Sequence, residues 1–295
     1  LTFETGETGR LHCTGAVVHH KGQPIAVEAT KEVVLSAGAV NSPQILQLSG
    51  IGPAALLKEH GIDVVMDAPY VGENLQDHLQ IRAVYKVKGT KTLNTLANSL
   101  IGKAKIGLEY VLKRSGPMSM SPSQVGAFTR SDPARPHANL EYHVQPLSLP
   151  KFGEDLDPFP AFTASVCNLR PEARGDVRLK SPNPGDTPAI RPNYLSTEAD
   201  RIVAARSIQL TRRIVAQAAL AEFNPQEIRP GAEYGSEAEL IEAAGQINLA
   251  AELVKTGDDI ALTYRTEFQD FAVPQADAAT LLLEGRLDQT PERLA

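Results

Sequence analysis

Ser36-Ala37-Gly38-Ala39-Val40-Asn41-Ser42-Pro43-Gln44-Ile45-Leu46-Gln47-Leu48-Ser49-Gly50-Ile51-Gly52-Pro53 is the stretch on which the reading of this chain turns. The apolar run Val33-Val34-Leu35 before it reads as a buried strand, ending in a turn of small residues that opens at once into a short helix. Asn41 or Ser42 is placed to cap that helix, Pro43 fits its first turn and Gly50 ends it. Small residues at such a corner let another molecule approach the backbone, and a helix start offers unpaired N–H groups to phosphate. Read this way, the stretch is a candidate anion-binding corner.

Working outward, Arg10–His20 and Ile25–Leu35 flank Lys21-Gly22-Gln23-Pro24 as strand, turn and second strand, the latter flowing into the corner. Pro53–His60 reads as a helix closed by Gly61, followed by a strand at Ile62–Met66. Helix, glycine, strand is α/β punctuation. Beyond it, Ile81–Val87, Gln124–Thr129, Asn139–Val144 and Phe162–Leu169 read as strands. Thr95–Ser115 reads as one long amphipathic helix, apolar at 96, 100, 101, 104, 108, 111 and 112. Ala199–Ala218 and Glu237–Ala244 read as further helices, and the Pro/Gly-rich stretches 146–160 and 181–193 as surface connections. Strands and helices grouped in runs after residue 81 predict an α+β domain built on an antiparallel sheet.

Composition narrows the function classes. The chain has 295 residues, 42% hydrophobic, enough for two cores. Its formal net charge is −6 and it has no basic run, which argues against nucleic acid as a partner. No apolar run approaches membrane-spanning length. Cys13 and Cys167 are too few for a disulfide framework, and no CxxC or His–Cys spacing suggests a metal, so reduced thiols in a cytoplasmic protein are expected. Ser49 has Gln47 rather than Gly two residues before it, which disfavours a serine hydrolase.

The opening stretch resembles the second signature of the glucose–methanol–choline (GMC) family of FAD-dependent alcohol oxidoreductases. The matching positions are Gly38, a small residue at 39, Ser42, Pro43, aliphatics at 45 and 46, and Ser49-Gly50-Ile51-Gly52. Val71-Gly72-Glu73-Asn74-Leu75-Gln76-Asp77-His78 is similar to a second family segment. Gly175–Leu179, followed by Pro188–Leu195, resembles the start of the family's C-terminal module. The resemblance covers about Leu1 to Pro230, closest in flavour to bacterial choline or alcohol dehydrogenases. It implies an incomplete α/β FAD-binding portion at 1–80 and a substrate-binding domain at 81–230, with the C-terminal module beginning near 173. Residues 231–295 form a divergent tail with 13 acidic and 4 basic side chains, against 22 and 25 before it.

The same resemblance implies FAD as cofactor, with Ser36, Ala37 and Gly38 as its contacts. It implies an alcohol as substrate, giving hydride to flavin N5, and an electron acceptor that it does not name. Ser121, Ser123, Gln124 and Phe128 fall where the family strand lines the substrate pocket; a Pro-initiated edge strand is the plain alternative. Two family elements are not found in this sequence. No Gly-x-Gly-x-x-Gly pyrophosphate loop follows a strand; Gly50-Ile51-Gly52-Pro53-Ala54-Ala55 follows a helix and reads as a helix–helix turn. Where the family carries its catalytic histidine, the chain reads Asp258-Asp259-Ile260-Ala261-Leu262-Thr263-Tyr264-Arg265-Thr266, and the last histidine is His143. No residue here is therefore assigned a catalytic role. His78 reads as a structural histidine bonded to a neighbour such as Asp77, and His143 as a satisfied strand residue. The expectation is an FAD-dependent alcohol oxidoreductase whose chain is incomplete and inactive alone. A non-catalytic remnant or binding partner derived from the same fold is the alternative.

Overall fold

A computed structural model of the chain describes residues 1–121, 123–150 and 153–245. In chain order the elements are β1 (Thr2–Thr5), β2 (Leu11–His20), β3 (Gln23–Glu28), α1 (Gly38–Leu48), β4 (Ile51–Gly52), α2 (Ala54–Glu59), β5 (Met66–Asp67), β6 (Glu73–Leu75) and β7 (Gln80–Lys86). Then come α3 (Leu93–Ala97), α4 (Leu100–Lys113), β8 (Val125–Thr129), β9 (Leu140–Gln145), β10 (Ala161–Asn168), β11 (Gly175–Arg178) and β12 (Ala189–Arg191). Last are α5 (Glu198–Val215), α6 (Ala218–Ala221) and β13 (Gln226–Arg229), followed by a helix over 237–245. The chain divides into two compact units.

Among the described residues, the first unit holds 1–75 together with 174–193. Residues 174–193, read from sequence with the substrate portion, fall here because β11 pairs antiparallel with β6 and with β12. Its other sheets are the antiparallel β1-β2-β3 and the short parallel pair β4-β5. Three sequence expectations are corrected. The strand read at Ile62–Met66 is confined to β5, Met66–Asp67, which pairs only with the two-residue β4. Residues 32–37 form no strand, and Val34 is 74% exposed, because no described strand lies alongside to take up their backbone groups. Gly50-Ile51-Gly52 is not a helix–helix turn: Gly50 terminates α1, and Ile51–Gly52 goes straight into β4.

The second unit holds 76–173 and the described residues from 194 on. Its antiparallel sheet has the order β13-β7-β10-β9-β8. Period-2 alternation puts Ile81, Tyr142 and Val166 on one face, where they pack with Val203, Ala205 and Ile208 of α5 and with Leu240 and Ala244 from 237–245. The α5 helix starts at Thr197, whose hydroxyl accepts from the Asp200 N–H. Asp200 is itself buried and accepts from Asn168 Nδ2 and from the Glu172 and Ala173 N–H groups. The helix expected at Thr95–Ser115 is broken into α3 and α4, since the Ser99 hydroxyl caps a new start by accepting from the Gly102 N–H. Its apolar stripe faces outward: Leu100, Ile101, Leu108, Val111 and Leu112 are all exposed. The stretch 146–160 is more than a surface connection, for Ser148 and Asp157 are buried and Asn94 bonds to both. Of the acidic tail read at 231–295, residues 246–295 lie outside the described residues.

Candidate functional site

The corner begins at Gly38, which takes φ +82°, a backbone region that L side chains rarely enter. A side chain there would meet nothing within 4 Å, so the position is constrained by backbone conformation and faces open space. The cap position of α1 is Ala37, four residues before Asn41 and five before Ser42, and no side chain caps it. Ser42 instead reaches back from inside the helix, its hydroxyl accepting from the Ala37 N–H at 3.1 Å. Pro43 sits inside the helix, not in its first turn, and removes one intrahelical donor. The first turn carries no acidic residue, which leaves the positive end of the helix dipole unneutralised. Ser36 and Gly38 are exposed and Ala37 half-buried.

What anchors this helix is Gln47, fully buried. Its Nε2 donates to the carbonyls of Val71 (3.2 Å) and Val177 (2.9 Å), and its Oε1 accepts from the Leu179 N–H (3.0 Å). Gln44 donates to the Asp186 carbonyl at 2.7 Å. The amide side chains thus tie α1 to the loop before β6 and to β11, while Ile45 and Leu46 are only half-buried.

The candidate pocket residues lie on or just before β8, the edge strand of the large sheet. Ser121, Gln124 and Phe128 are exposed, Phe128 by 66%. Ser123 is half-buried and its hydroxyl accepts from Gln145 Nε2 at 3.1 Å. Phe128 pairs with Glu141, and Glu141 with Cys167, so the three share one face, opposite the core. The next row on that face holds Gly126, His143, Ser165 and Arg82. Ser165 is fully buried, and its hydroxyl has no hydrogen-bond partner among the described residues. None of the four candidates borders the crevice beneath α5, about 30 Å3, which is lined by core residues such as Ile81, Leu140, Val166 and Ala204.

His143 Nε2 lies 3.4 Å from a Glu141 carboxylate oxygen. His78 Nε2 faces the Leu169 carbonyl at 3.3 Å rather than Asp77, whose carboxylate accepts from the Tyr194 hydroxyl. Burial, and after it the Glu141 charge, pushes the Cys167 thiol up to about 11, so it stays protonated at neutral pH. Burial likewise raises Tyr85 and Tyr142. His78, Glu141 and Cys167 offer ligand atoms that all lie within 4.8 Å of one another. Chain spacing could not reveal this grouping, because sheet register brings it together.

Solved structures on which the chain superposes include FAD-dependent oxidoreductases. A formate oxidase from Aspergillus oryzae, studied for its FAD modification, superposes with a TM-score of 0.69 at 23% identity, over 79% of this chain and 45% of that one. Residues 6–80 and 171–268 match the N- and C-terminal GMC oxidoreductase domains, and the chain belongs to the GMC oxidoreductase family. It is 39% identical over 214 residues to an oxygen-dependent choline dehydrogenase of Brucella ovis, covering 72% of this chain and 39% of that protein. To an alcohol dehydrogenase (acceptor) of Pseudomonas putida it is 40% identical over 220 residues, covering 74% and 40%. The chain thus spans about two-fifths of the length of these curated relatives.

FAD is the cofactor of this family, and the residues present fit one side of it. An exposed, uncapped helix start with a glycine corner suits close approach of an anionic or planar group. The run Gly50-Ile51-Gly52 cannot cradle a pyrophosphate, since Gly52 is buried in β4. Among the described residues, no helix is long and apolar enough to cross a membrane.

Proposed function

We propose that this chain is part of an FAD-dependent oxidoreductase that oxidises the CH–OH group of an alcohol, choline or a related primary alcohol. The observation that carries the reading is the pair of GMC matches in family order, supported by identity near 40% to choline and alcohol dehydrogenases. Bound flavin supplies the hydride acceptor. Ser36, Ala37 and Gly38 then offer backbone to FAD at the start of α1, and Ser121, Ser123, Gln124 and Phe128 border the substrate. Residues 1–75 with 174–193 serve the cofactor, and 76–173 with 194–230 the substrate.

As given, the sequence contains neither a pyrophosphate loop nor a histidine after His143. Lack of a positioned general base costs ~10²–10⁴-fold in rate. The chain by itself should therefore emerge from purification colourless and should not reduce an artificial electron acceptor when alcohols are added. Joining it to a family-type Gly-x-Gly-x-x-Gly segment should restore flavin absorbance, and adding a C-terminal histidine segment should restore alcohol-dependent turnover. Stoichiometric flavin on the unmodified chain would refute the one-sided cofactor site. A flavin-loaded, histidine-restored protein that ignores alcohols would refute the activity.

A further inference from the structure

We propose that His78, Glu141 and Cys167 bind a divalent cation of the zinc class, with a fourth coordination position open to water. The three ligand atoms already lie within 4.8 Å of one another, and they come from three separate parts of the second unit. Glu141 and Cys167 are direct partners across the β9–β10 ladder, so sheet register holds them side by side. His78 lies in the segment that leads into β7, whose Gln80 pairs with Cys167 from the other side.

The donor set is one imidazole nitrogen, one carboxylate oxygen and one thiol sulfur. That mixture suits zinc and its neighbours; calcium and magnesium prefer oxygen alone. Zinc bonds of ~2.0–2.3 Å in a tetrahedron bring ligands to within roughly 3.3–3.7 Å of each other. The cluster needs to contract by about an ångström, and the exposed His78 and half-buried Glu141 have room to move. Cys167, only 4% exposed, is the fixed point. When Nε2–H of His78 donates to the Leu169 carbonyl, Nδ1 keeps its lone pair; metal-ligating histidines are commonly oriented in this way.

On binding, the Sγ–H bond breaks, the Sγ–metal bond forms and the proton leaves to solvent. The bound ion would pin the 76–79 segment against β9 and β10.

Cobalt(II) titration of the full chain tests this, read by the thiolate-to-cobalt charge-transfer absorption. The expected result is saturable binding of one ion per chain, displaced by zinc and not by magnesium. Cys167→Ser should abolish the band, Cys13→Ser should leave it intact, and His78→Ala and Glu141→Gln should each weaken binding at least about tenfold. His78 is exposed, so circular dichroism of His78→Ala should match the parent and keep the test valid if Cys167→Ser fails to fold. Absence of the band at millimolar cobalt would overturn the proposal. So would a band that follows Cys13, or binding indifferent to both His78→Ala and Glu141→Gln.

Discussion

Replacing Gln47 by alanine isolates the interaction that seats α1. The side chain is fully buried and makes hydrogen bonds to the Val71 and Val177 carbonyls and from the Leu179 N–H. Truncation leaves that N–H without its partner at a cost of about 1–3 kcal/mol, and each lost carbonyl bond adds ~0.5–1.5 kcal/mol. Solvent cannot readily fill the gap, because a Cβ placed on Gly72 would lie only 2.1 Å from the Val177 oxygen and 2.6 Å from Gln47 Nε2. The sum is roughly 2–6 kcal/mol. With a urea m-value of about 2 kcal/mol/M, the midpoint should fall by ~1–3 M. Far-UV circular dichroism is the suitable probe, since the chain has no tryptophan. Gln47→Glu sharpens the test. An ionised carboxylate would face two carbonyl oxygens, so burial and repulsion raise its folded-state pKa. Stability of that variant should be highest at acid pH, where the carboxyl is protonated and donates one bond, and should fall as pH rises through the folded-state value. A loss below about 1 kcal/mol for Gln47→Ala, the scale of a surface substitution, would refute the reasoning. So would a Gln47→Glu variant whose stability, relative to the parent, ignores pH.

Two more expectations follow from the second unit. Arg212 donates to both carboxylate oxygens of Glu227 at 2.8 Å and to the Tyr234 and Gly231 carbonyls, while the Glu227 side chain is only 7% exposed. Arg212→Ala should cost ~3–5 kcal/mol in urea unfolding by stranding that charge, and Arg212→Lys should recover little because lysine cannot reproduce the fork. For Cys167, burial raises the thiol from its ordinary value near 9 to about 11, so its contribution to stability is intact below about 9 and lost between about 9 and 11. The parent should therefore lose stability over that window more steeply than Cys167→Ala does. A difference curve that stays flat from pH 8 to 11 would contradict the assignment, and taking the difference removes the parallel contributions of Tyr85 and Tyr142.

The large sheet was legible because its strands obey a period of two and end in turn residues. Expected strands at Ile81–Val87, Gln124–Thr129, Asn139–Val144 and Phe162–Leu169 correspond to β7, β8, β9 and β10 within one residue at most ends. Where reading failed, a local pattern met a non-local requirement. Val33-Val34-Leu35 has strand composition, yet a strand exists only with a neighbour to bond, and none of the described strands supplies one. The 3.6 periodicity through 95–115 was real, but periodicity does not register that Asn98-Ser99 can stop one helix and cap the next. Gln44 and Gln47 are the buried side chains of α1, chosen by the backbone groups they must satisfy on neighbouring segments.

The candidate sites divide along the same line. At the Ser36-Ala37-Gly38 corner the sequence showed a helix and its Gly50 end, but neither the missing strand before it nor the start at Gly38, which its positive φ sets. The face carrying Glu141, His143, Ser165 and Cys167 cannot be read from sequence, because it is defined by pairing between strands far apart in the chain. Its composition follows in two steps. Burial of Tyr142, Val166 and Ile81 beneath α5 fixes which way each strand faces, and a slip of one residue would send all three to the opposite face. Once those three face α5, Glu141 and Cys167 must share the opposite face of the sheet, and the β9–β10 register sets them opposite each other. Polar side chains on that face are therefore a consequence of core packing. The same apolar contacts that stabilise the sheet hold a carboxylate and a thiol in the geometry from which a cation site can be built.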